Sequence, residues 1–281
     1  MRSLRQPGPP HPVRVEAIAA QPHRLSFTLA AGATLTDAVT APLVAAGFQC
    51  ATVTFREAAL NPFRYVMPNP ATDGTHVAWF SATQAPVGTS VVEQANVTFG
   101  WTDGTPSIHC HAVWREPDGQ RRGGHILPAE TILAGPAEAV ACGFKTVRIE
   151  TKPDPETNFT LFQPAGEPVP GAAGLVLRVK PNEDILTAVE MAAQAHGIRD
   201  AVVCGSLGSL IGTAFVSGAT VVDHATEVLV REGLIRDGQA ALDLLSIDMQ
   251  GRVHEGWLRR GENPVCITFD LFLEAVPPTP A

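Results

Sequence analysis

An internal repeat constrains the fold of this chain more than any other feature of its sequence. When the sequence is aligned with itself at an offset of 150 positions, apolar residues between 25 and 53 align with apolar residues between 175 and 203 without a gap. The matched pairs include Leu25 and Leu175, Phe27 and Leu177, Leu29 and Val179, Leu35 and Ile185, Val39 and Val189, and Val53 and Val203. The alternative is a chance similarity between two amphipathic stretches, but the gapless match favours a duplicated fold.

Each copy has the pattern strand, helix, strand. Residues 25–29 alternate apolar and polar side chains, as a half-buried strand does. In the second copy, Ile185 and Val189 have helical spacing, and Asn182 is the predicted N-cap. The first copy predicts a weaker helix because Pro42 lies inside it and has no backbone N–H to donate.

The repeat also predicts where the domains begin and end. After residue 100 it resumes at an offset of 132, so that Asp118 and Gly119 correspond to Gln250 and Gly251. Between the copies lies a segment rich in proline and glycine, which is typical of a linker. We therefore predict a first domain over residues 1–150, a linker over 151–172 and a second domain over 173–281.

Charge and cysteine content narrow the possible partners and compartments. The formal net charge is −8, from 20 Lys and Arg against 28 Asp and Glu, which disfavours binding to duplex DNA. The five cysteines are scattered singly along the sequence, a pattern typical of reduced thiols in a cytoplasmic protein. The first residues lack the apolar core of a signal peptide, and the longest apolar run is too short to span a bilayer. We expect a cytoplasmic protein without membrane contact.

Three histidines form the strongest chemical motif. Residues 107–125 read SIHCHAVWREPDGQRRGGH. On a strand, His109 and His111 project from the same face because they are two residues apart. A turn centred on Asp118 places His125 directly opposite His111, since both are seven residues from it. The pair Gly123-Gly124, just before His125, predicts a β-bulge that re-aims this third imidazole.

Three converging imidazoles predict a metal site. Zinc is the usual ion for nitrogen ligands, and Fe²⁺ or Mn²⁺ would also fit. Three protein ligands leave a coordination position for water or substrate, as in catalytic zinc sites. A lone His-x-His is more often an ordinary core or surface histidine pair; the third histidine at the matched position favours the metal. The corresponding residues of the second copy are Ala241, Asp243 and Trp257, which offer no equivalent ligand set.

The motif His109, His111, Asp118-Gly119 and Gly123-Gly124-His125 resembles the signature of the PPC domain, also called DUF296. The second copy resembles the same family through LVLRVKPNEDILTAVEMAAQAHGIRDAVVCGSLGSL, so the chain is similar to a tandem PPC protein with a degenerate second domain. The resemblance implies an α+β fold of two related domains, each a twisted, largely antiparallel sheet with one main helix. It also implies a homo-oligomer, and a fold similar to that of the zinc-dependent acetolactate decarboxylases.

Two functions are consistent with these features. The first is an enzyme, a zinc-dependent hydrolase or decarboxylase/lyase acting on a small carbonyl or carboxylate compound. The second is a DNA-binding or regulatory protein without catalysis, because the family carries a DNA-binding label, although the basic AT-hook arm of its plant members is lacking here. Candidate substrate-contacting or acid/base residues lie in the hairpin and in an insertion specific to the first copy. They are Arg64, His76, Arg121, Arg122 and Glu130.

Overall fold

The computed structural model describes residues 2–276, which form two large β-sheets and two helices. The helices are α1 (Leu35–Ala45) and α2 (Ile185–Ala195). The strands are β1 (Val15–Ala20), β2 (His23–Leu29), β3 (Cys50–Phe55), β4 (Ala59–Leu60), β5 (Tyr65–Val66), β6 (Pro68–Asn69), β7 (Trp79–Phe80), β8 (Ser90–Thr102), β9 (Thr105–Arg115), β10 (Arg121–Ile126), β11 (Ala137–Phe144), β12 (Arg148–Pro153), β13 (Thr160–Ala165), β14 (Gly174–Val179), β15 (Ala201–Leu210), β16 (Thr213–Ala214), β17 (Thr220–Val221), β18 (Thr226–Arg236), β19 (Gln239–Ile247), β20 (Val253–Trp257) and β21 (Val265–Ala275).

The two large sheets share a strand order. The first sheet runs β2-β11-β3-β8-β9-β10-β5, and β4, β12 and β13 are attached to it. The second sheet runs β1-β14-β21-β15-β18-β19-β20. Six positions match, with β14, β21, β15, β18, β19 and β20 standing where β2, β11, β3, β8, β9 and β10 stand. Nearly all of the pairings are antiparallel and one helix packs against each sheet, so the predicted α+β fold class is confirmed.

The two helices occupy the positions predicted from the repeat. Thr34 caps α1, its side chain accepting a hydrogen bond from the Asp37 backbone N–H. Pro42 lies inside α1, which therefore lacks one internal hydrogen bond. The predicted cap of α2 is wrong: Asp184, not Asn182, caps it by accepting from the Thr187 N–H. Asn182 instead has a φ of 67° and exchanges hydrogen bonds with the backbone of Leu4.

The sheets cross the predicted domain boundaries at two places. Strand β1 lies within residues 1–150 but pairs with β14 over six residues, at the edge of the second sheet. The predicted linker 151–172 contains the end of β12 and all of β13, which form a hairpin attached to the first sheet. Composition was misleading here, because Phe162 within this segment is buried against Ile149 and Val147. The division into two domains stays a prediction.

The sheets pack face to face. Each has its own core under its helix, and a third cluster joins them, containing Cys50, Cys142 and Phe144 from the first sheet and Val176 and Phe272 from the second. Buried amides add polar contacts across the interface. Asn96 in β8 donates to the carbonyls of Ser206 at 2.8 Å and Val230 at 2.7 Å. Neither helix within residues 2–276 is long and apolar enough to cross a membrane.

Candidate metal centre

The β9–β10 hairpin places the three histidines. Its turn closes with the Gly119 N–H donating to the Glu116 carbonyl, and the register pairs His125 with His111, as the sequence predicted. The predicted bulge at Gly123-Gly124 is wrong, because the ladder continues through both glycines without a shift. Gly124 instead allows β5 to approach, since a Cβ there would lie 2.5 Å from the Val66 carbonyl oxygen.

The three imidazole rings converge on one point. The ring centroids are 4.6 Å apart for His109 and His111, 4.8 Å for His109 and His125, and 5.5 Å for His111 and His125. The Nε2 atoms of His109 and His111 are 2.9 Å apart. One nitrogen of each ring lies within 4.8 Å of the others, so the rings form a candidate metal-ligand group.

Hydrogen bonding orients the lone pair of His111. Its Nδ1 lies 3.0 Å from the Val228 carbonyl oxygen of β18. A carbonyl can only accept, so Nδ1 carries the proton and Nε2 keeps its lone pair on the side of His109. Metal-bound histidines commonly have such a carbonyl partner on the second nitrogen. Among residues 2–276, the buried Nδ1 of His125 has no hydrogen-bond partner.

Burial keeps all three imidazoles neutral. It lowers the pKa of His111 to about 4, although the Val228 carbonyl acts in the opposite direction. Burial, and then the charge of His111, lowers the pKa of His125 to about 3. Burial and the two neighbouring imidazoles lower the pKa of His109 well below its ordinary value. Neutral imidazole is the form that binds a metal ion, so the donor set fits zinc.

A cavity of about 90 Å³ opens at the imidazoles between the two sheets. Its wall from the first half of the chain consists of Pro68, Ala78, Trp79, Phe80, Phe159 and Leu161. Its wall from the second half consists of Gly208, Ser209, Ala225, Thr226, Glu227, Ile267 and Thr268. The site is therefore composite: the first sheet supplies the histidines and the second sheet supplies the opposite wall.

Glu227 is the residue that sequence reasoning missed. Its Oε1 lies 3.9 Å from Nε2 of His111, and its buried Oε2 has no hydrogen-bond partner in the described part of the chain. Burial raises the pKa of Glu227 to about 8, which favours the neutral acid at neutral pH. The available signal was a single carboxyl directly before the apolar run 228–230, but it lies in the copy that lacks the histidines.

The structure does not bring the other candidate residues to the cavity wall. Arg121 pairs with Glu93 and Glu255, and Arg122 donates to the Gln250 carbonyl. Both arginines are near the turn, at the opposite end of β10 from His125. Arg121 is thus engaged by the neighbouring strands β8 and β20, and Arg122 by the turn between β19 and β20.

The insertion residues also lie outside the cavity. Arg64 donates to the carbonyl of Phe63, and Glu130 is exposed near the surface turn that follows β10. His76 lies behind the wall: its Nδ1 is 2.7 Å from Asp73, and its ring contacts those of Trp79 and Phe159, which do line the cavity.

The corresponding hairpin of the second sheet has the same register and different chemistry. Asp243 pairs with Trp257, as His111 pairs with His125. The Asp243 carboxylate forms an ion pair with Arg231 at 2.7 Å, and Trp257 is partly exposed. An ion pair therefore occupies the position that carries imidazoles in the first sheet.

No protein-family model and no curated protein matches the sequence. Solved structures resemble about half of it. A metal-containing protein from Archaeoglobus fulgidus is 15% identical, with a TM-score of 0.42, over 52% of this chain and 96% of that one. A plant- and prokaryote-conserved (PPC) protein from Pyrococcus horikoshii is 17% identical, with a TM-score of 0.41, over 50% and 91%. A protein from Ralstonia eutropha whose name suggests DNA binding is 15% identical, with a TM-score of 0.39, over 49% and 89%.

Proposed function

We propose that this chain binds one divalent metal ion, zinc by preference, through His109, His111 and His125. The observation that carries the proposal is the convergence of three neutral imidazoles, of which His111 is buried and oriented by the Val228 carbonyl and the other two are half-buried. Nitrogen atoms buried this closely together lose their hydrogen bonds to water, and a shared cation would compensate for that loss. Fe²⁺ and Mn²⁺ remain chemically suitable for the same ligands.

We further propose that the ligand is a small, mostly apolar compound with a carbonyl or a single carboxylate group. The cavity wall is formed by aromatic and aliphatic side chains, and it includes no lysine or arginine among the described residues. A polyanion would have no side-chain cation to pair with there. A single carbonyl or carboxylate oxygen could be held at the coordination position that three protein ligands leave open.

A hydrolytic or lyase reaction would suit such a site. The ion, when bound, would supply Lewis acidity toward the carbonyl oxygen. Glu227 would hold a proton on its carboxyl group beside the histidines and could donate it to a leaving group or enolate. The rings of Trp79 and Phe80 would exclude water from the apolar part of the compound.

Metal analysis of the purified chain tests the proposed metal binding. We expect one zinc ion per chain, and His111→Ala should retain less than about a tenth of it because one of three ligands is lost. His23→Ala is the matched control, since His23 is exposed on β2, and it should keep full occupancy. Circular dichroism should show that both variants are folded. Stoichiometric metal in folded His111→Ala would overturn the assignment.

Turnover and DNA-binding assays test the proposed ligand and reaction. The zinc-loaded chain would be incubated with small aryl esters and 3-oxo acids, with product release as the readout. Glu227→Gln should keep the metal and lose activity by about 100-fold or more. An electrophoretic shift assay at physiological salt should show no retarded DNA, given the net charge of −8. A metal-free chain that retards DNA would replace this proposal with a nucleic-acid function.

A further inference from the structure

Two cysteines from different sheets meet away from the candidate metal centre. Cys142 is buried in β11 of the first sheet, and Cys204 is partly exposed in β15 of the second. Their sulfur atoms and a carboxylate oxygen of Glu274 all lie within 4.8 Å of one another. Both cysteines are free thiols, so a dithiol bridges the interface between the sheets.

The local backbone brings the two sulfurs together. The register between β15 and β21 shifts between Val203 and Gly205, which leaves Cys204 as the extra residue of a bulge. Gly205 then approaches β3 so closely that a Cβ on it would lie 2.2 Å from Oγ1 of Thr52. Thr52 is the cross-strand partner of Cys142. The cysteines therefore lie where the two sheets come especially close.

A cation stabilises negative charge at this dithiol. Nη2 of Arg24 lies 3.2 Å from Sγ of Cys204, and the same guanidinium pairs with the Glu274 carboxylate. The hydrogen bond from Cys204 lowers the pKa of Cys142; burial and the charge of Glu274 oppose this effect, and the charge of Arg24 adds to it. One thiolate beside one thiol is the arrangement of reactive cysteine pairs.

We infer that Cys142 and Cys204 form a redox-sensitive dithiol that a peroxide converts into a disulfide linking the two sheets. The two sulfurs already lie within 4.8 Å of each other, and a disulfide requires them to approach to about 2.05 Å. The guanidinium of Arg24 disfavours a metal cation at the same place and favours a thiolate.

The reaction with hydrogen peroxide balances in two steps. One sulfur, as the thiolate, attacks a peroxide oxygen; the O–O bond breaks, and the departing hydroxide takes a proton to leave as water. The other thiol then attacks the sulfur of the sulfenic acid; the S–S bond forms, the S–O bond breaks, and the second water leaves with the thiol proton. Two electrons pass from the two sulfurs to the peroxide.

Peptide mapping of the wild-type chain tests the inference directly, because trypsin places each relevant cysteine in its own peptide. Cys142 falls in residues 123–145, Cys204 in 200–231 and Cys50 in 25–56. After treatment with hydrogen peroxide and alkylation, we expect a cross-linked 123–145/200–231 peptide that dithiothreitol separates. Linkage of 25–56 instead, or irreversible oxidation without any link, would overturn the inference.

Three variants test which residues the cross-link requires, and one assay tests whether the pair binds metal instead. Cys50→Ala should keep the cross-link, and Cys204→Ser should lose it. Arg24→Gln should slow its formation about three- to tenfold, because less thiolate is present. The oxidised wild-type chain should unfold at a higher temperature than the reduced chain, whereas Cys204→Ser should show no such difference. If zinc instead protects both thiols of the reduced chain from alkylation, the pair is a metal site and the inference fails.

Discussion

At the scale of single residues, buried polar side chains from one sheet bond to the backbone of the other. His111 and Asn96 are cross-strand neighbours on β9 and β8, and they donate to the carbonyls of Val228 and Val230 on β18. The two side chains thus attach the histidine-bearing face to the opposite strand. The tautomer of His111 is one consequence of this attachment, because its Nδ1 proton is held by Val228.

Asn96→Ala should lower the free energy of unfolding by about 2 kcal/mol, because it removes the two buried hydrogen bonds that this amide donates across the interface and leaves two carbonyls without this donor. Urea denaturation would measure the change. Asn69→Ala is the control, since Asn69 is exposed, and it should differ from wild type by less than about 0.5 kcal/mol. Equal stability of Asn96→Ala and wild type would contradict the role given to this amide.

Residue-level prediction from the sequence succeeded within the hairpin and failed across the interface. The pairing of His125 with His111 follows from counting residues on each side of a turn. His111 contacts Val228, which is 117 residues further along the sequence, and the neighbouring Glu227. Local residue spacing cannot predict such contacts, because they depend on how the two sheets pack. Glu227 and the dithiol could therefore not be predicted from motifs.

At the scale of elements, the β9–β10 hairpin pairs within the first sheet and also packs closely against the second. Gly123 faces β19, where an added Cβ would lie 2.4 Å from Cγ1 of Ile247. Alternation and the turn signal were sufficient to predict this hairpin. They could not show that its glycines serve close packing rather than a bulge, because that depends on β5 and β19.

Gly123→Ala should destabilise the protein by about 1–3 kcal/mol through overpacking against Ile247. The same substitution made in an Ile247→Ala background should cost clearly less, because the obstructing side chain is gone. Thermal or urea unfolding of the four proteins completes this double-mutant cycle. An unchanged cost in the Ile247→Ala background would show that the two positions do not clash.

A buried ion pair connects β14 to the turn before β13. Arg178 is fully buried, and it pairs with Asp154 and, at 3.6 Å, with Glu16. Burial raises the pKa of Asp154, but the hydrogen bond and charge of Arg178 outweigh burial and hold that pKa below its ordinary value. The carboxylate therefore contributes stability above the unfolded-state pKa of about 3.9, and the contribution is lost as the pH falls through the lower folded-state value.

Asp154→Asn should lower the free energy of unfolding at pH 7 by about 3 kcal/mol, because the cation of Arg178 loses its closest partner. The difference between variant and wild type should shrink as the pH falls below about 4, where Asp154 of the unfolded chain takes up a proton, and it should be lost as the pH falls through the lower pKa of folded Asp154. Denaturation curves recorded from pH 7 to pH 3 would measure it. A difference that stays constant over this range would argue against the ion pair.

At the scale of the whole molecule, two sheets with matching strand order enclose one composite site. The repeat in the sequence predicted both helices, because apolar periodicity records which face of each element is buried, whereas the antiparallel α+β class was implied by the family resemblance. It could not assign β1 or the β12–β13 hairpin, because neither has a counterpart in the repeat. The predicted homo-oligomer and cytoplasmic location stay predictions.

Strand β1 has a practical consequence for anyone who divides this protein into halves. A fragment that ends at residue 150 would keep β1 yet lose β14, so its backbone amides would have no ladder to join. The complementary fragment would in turn expose the edge of β14. Produced separately, the fragments should aggregate or stay insoluble. Produced together, they should reassemble, because β1 of the first fragment can pair with β14 of the second.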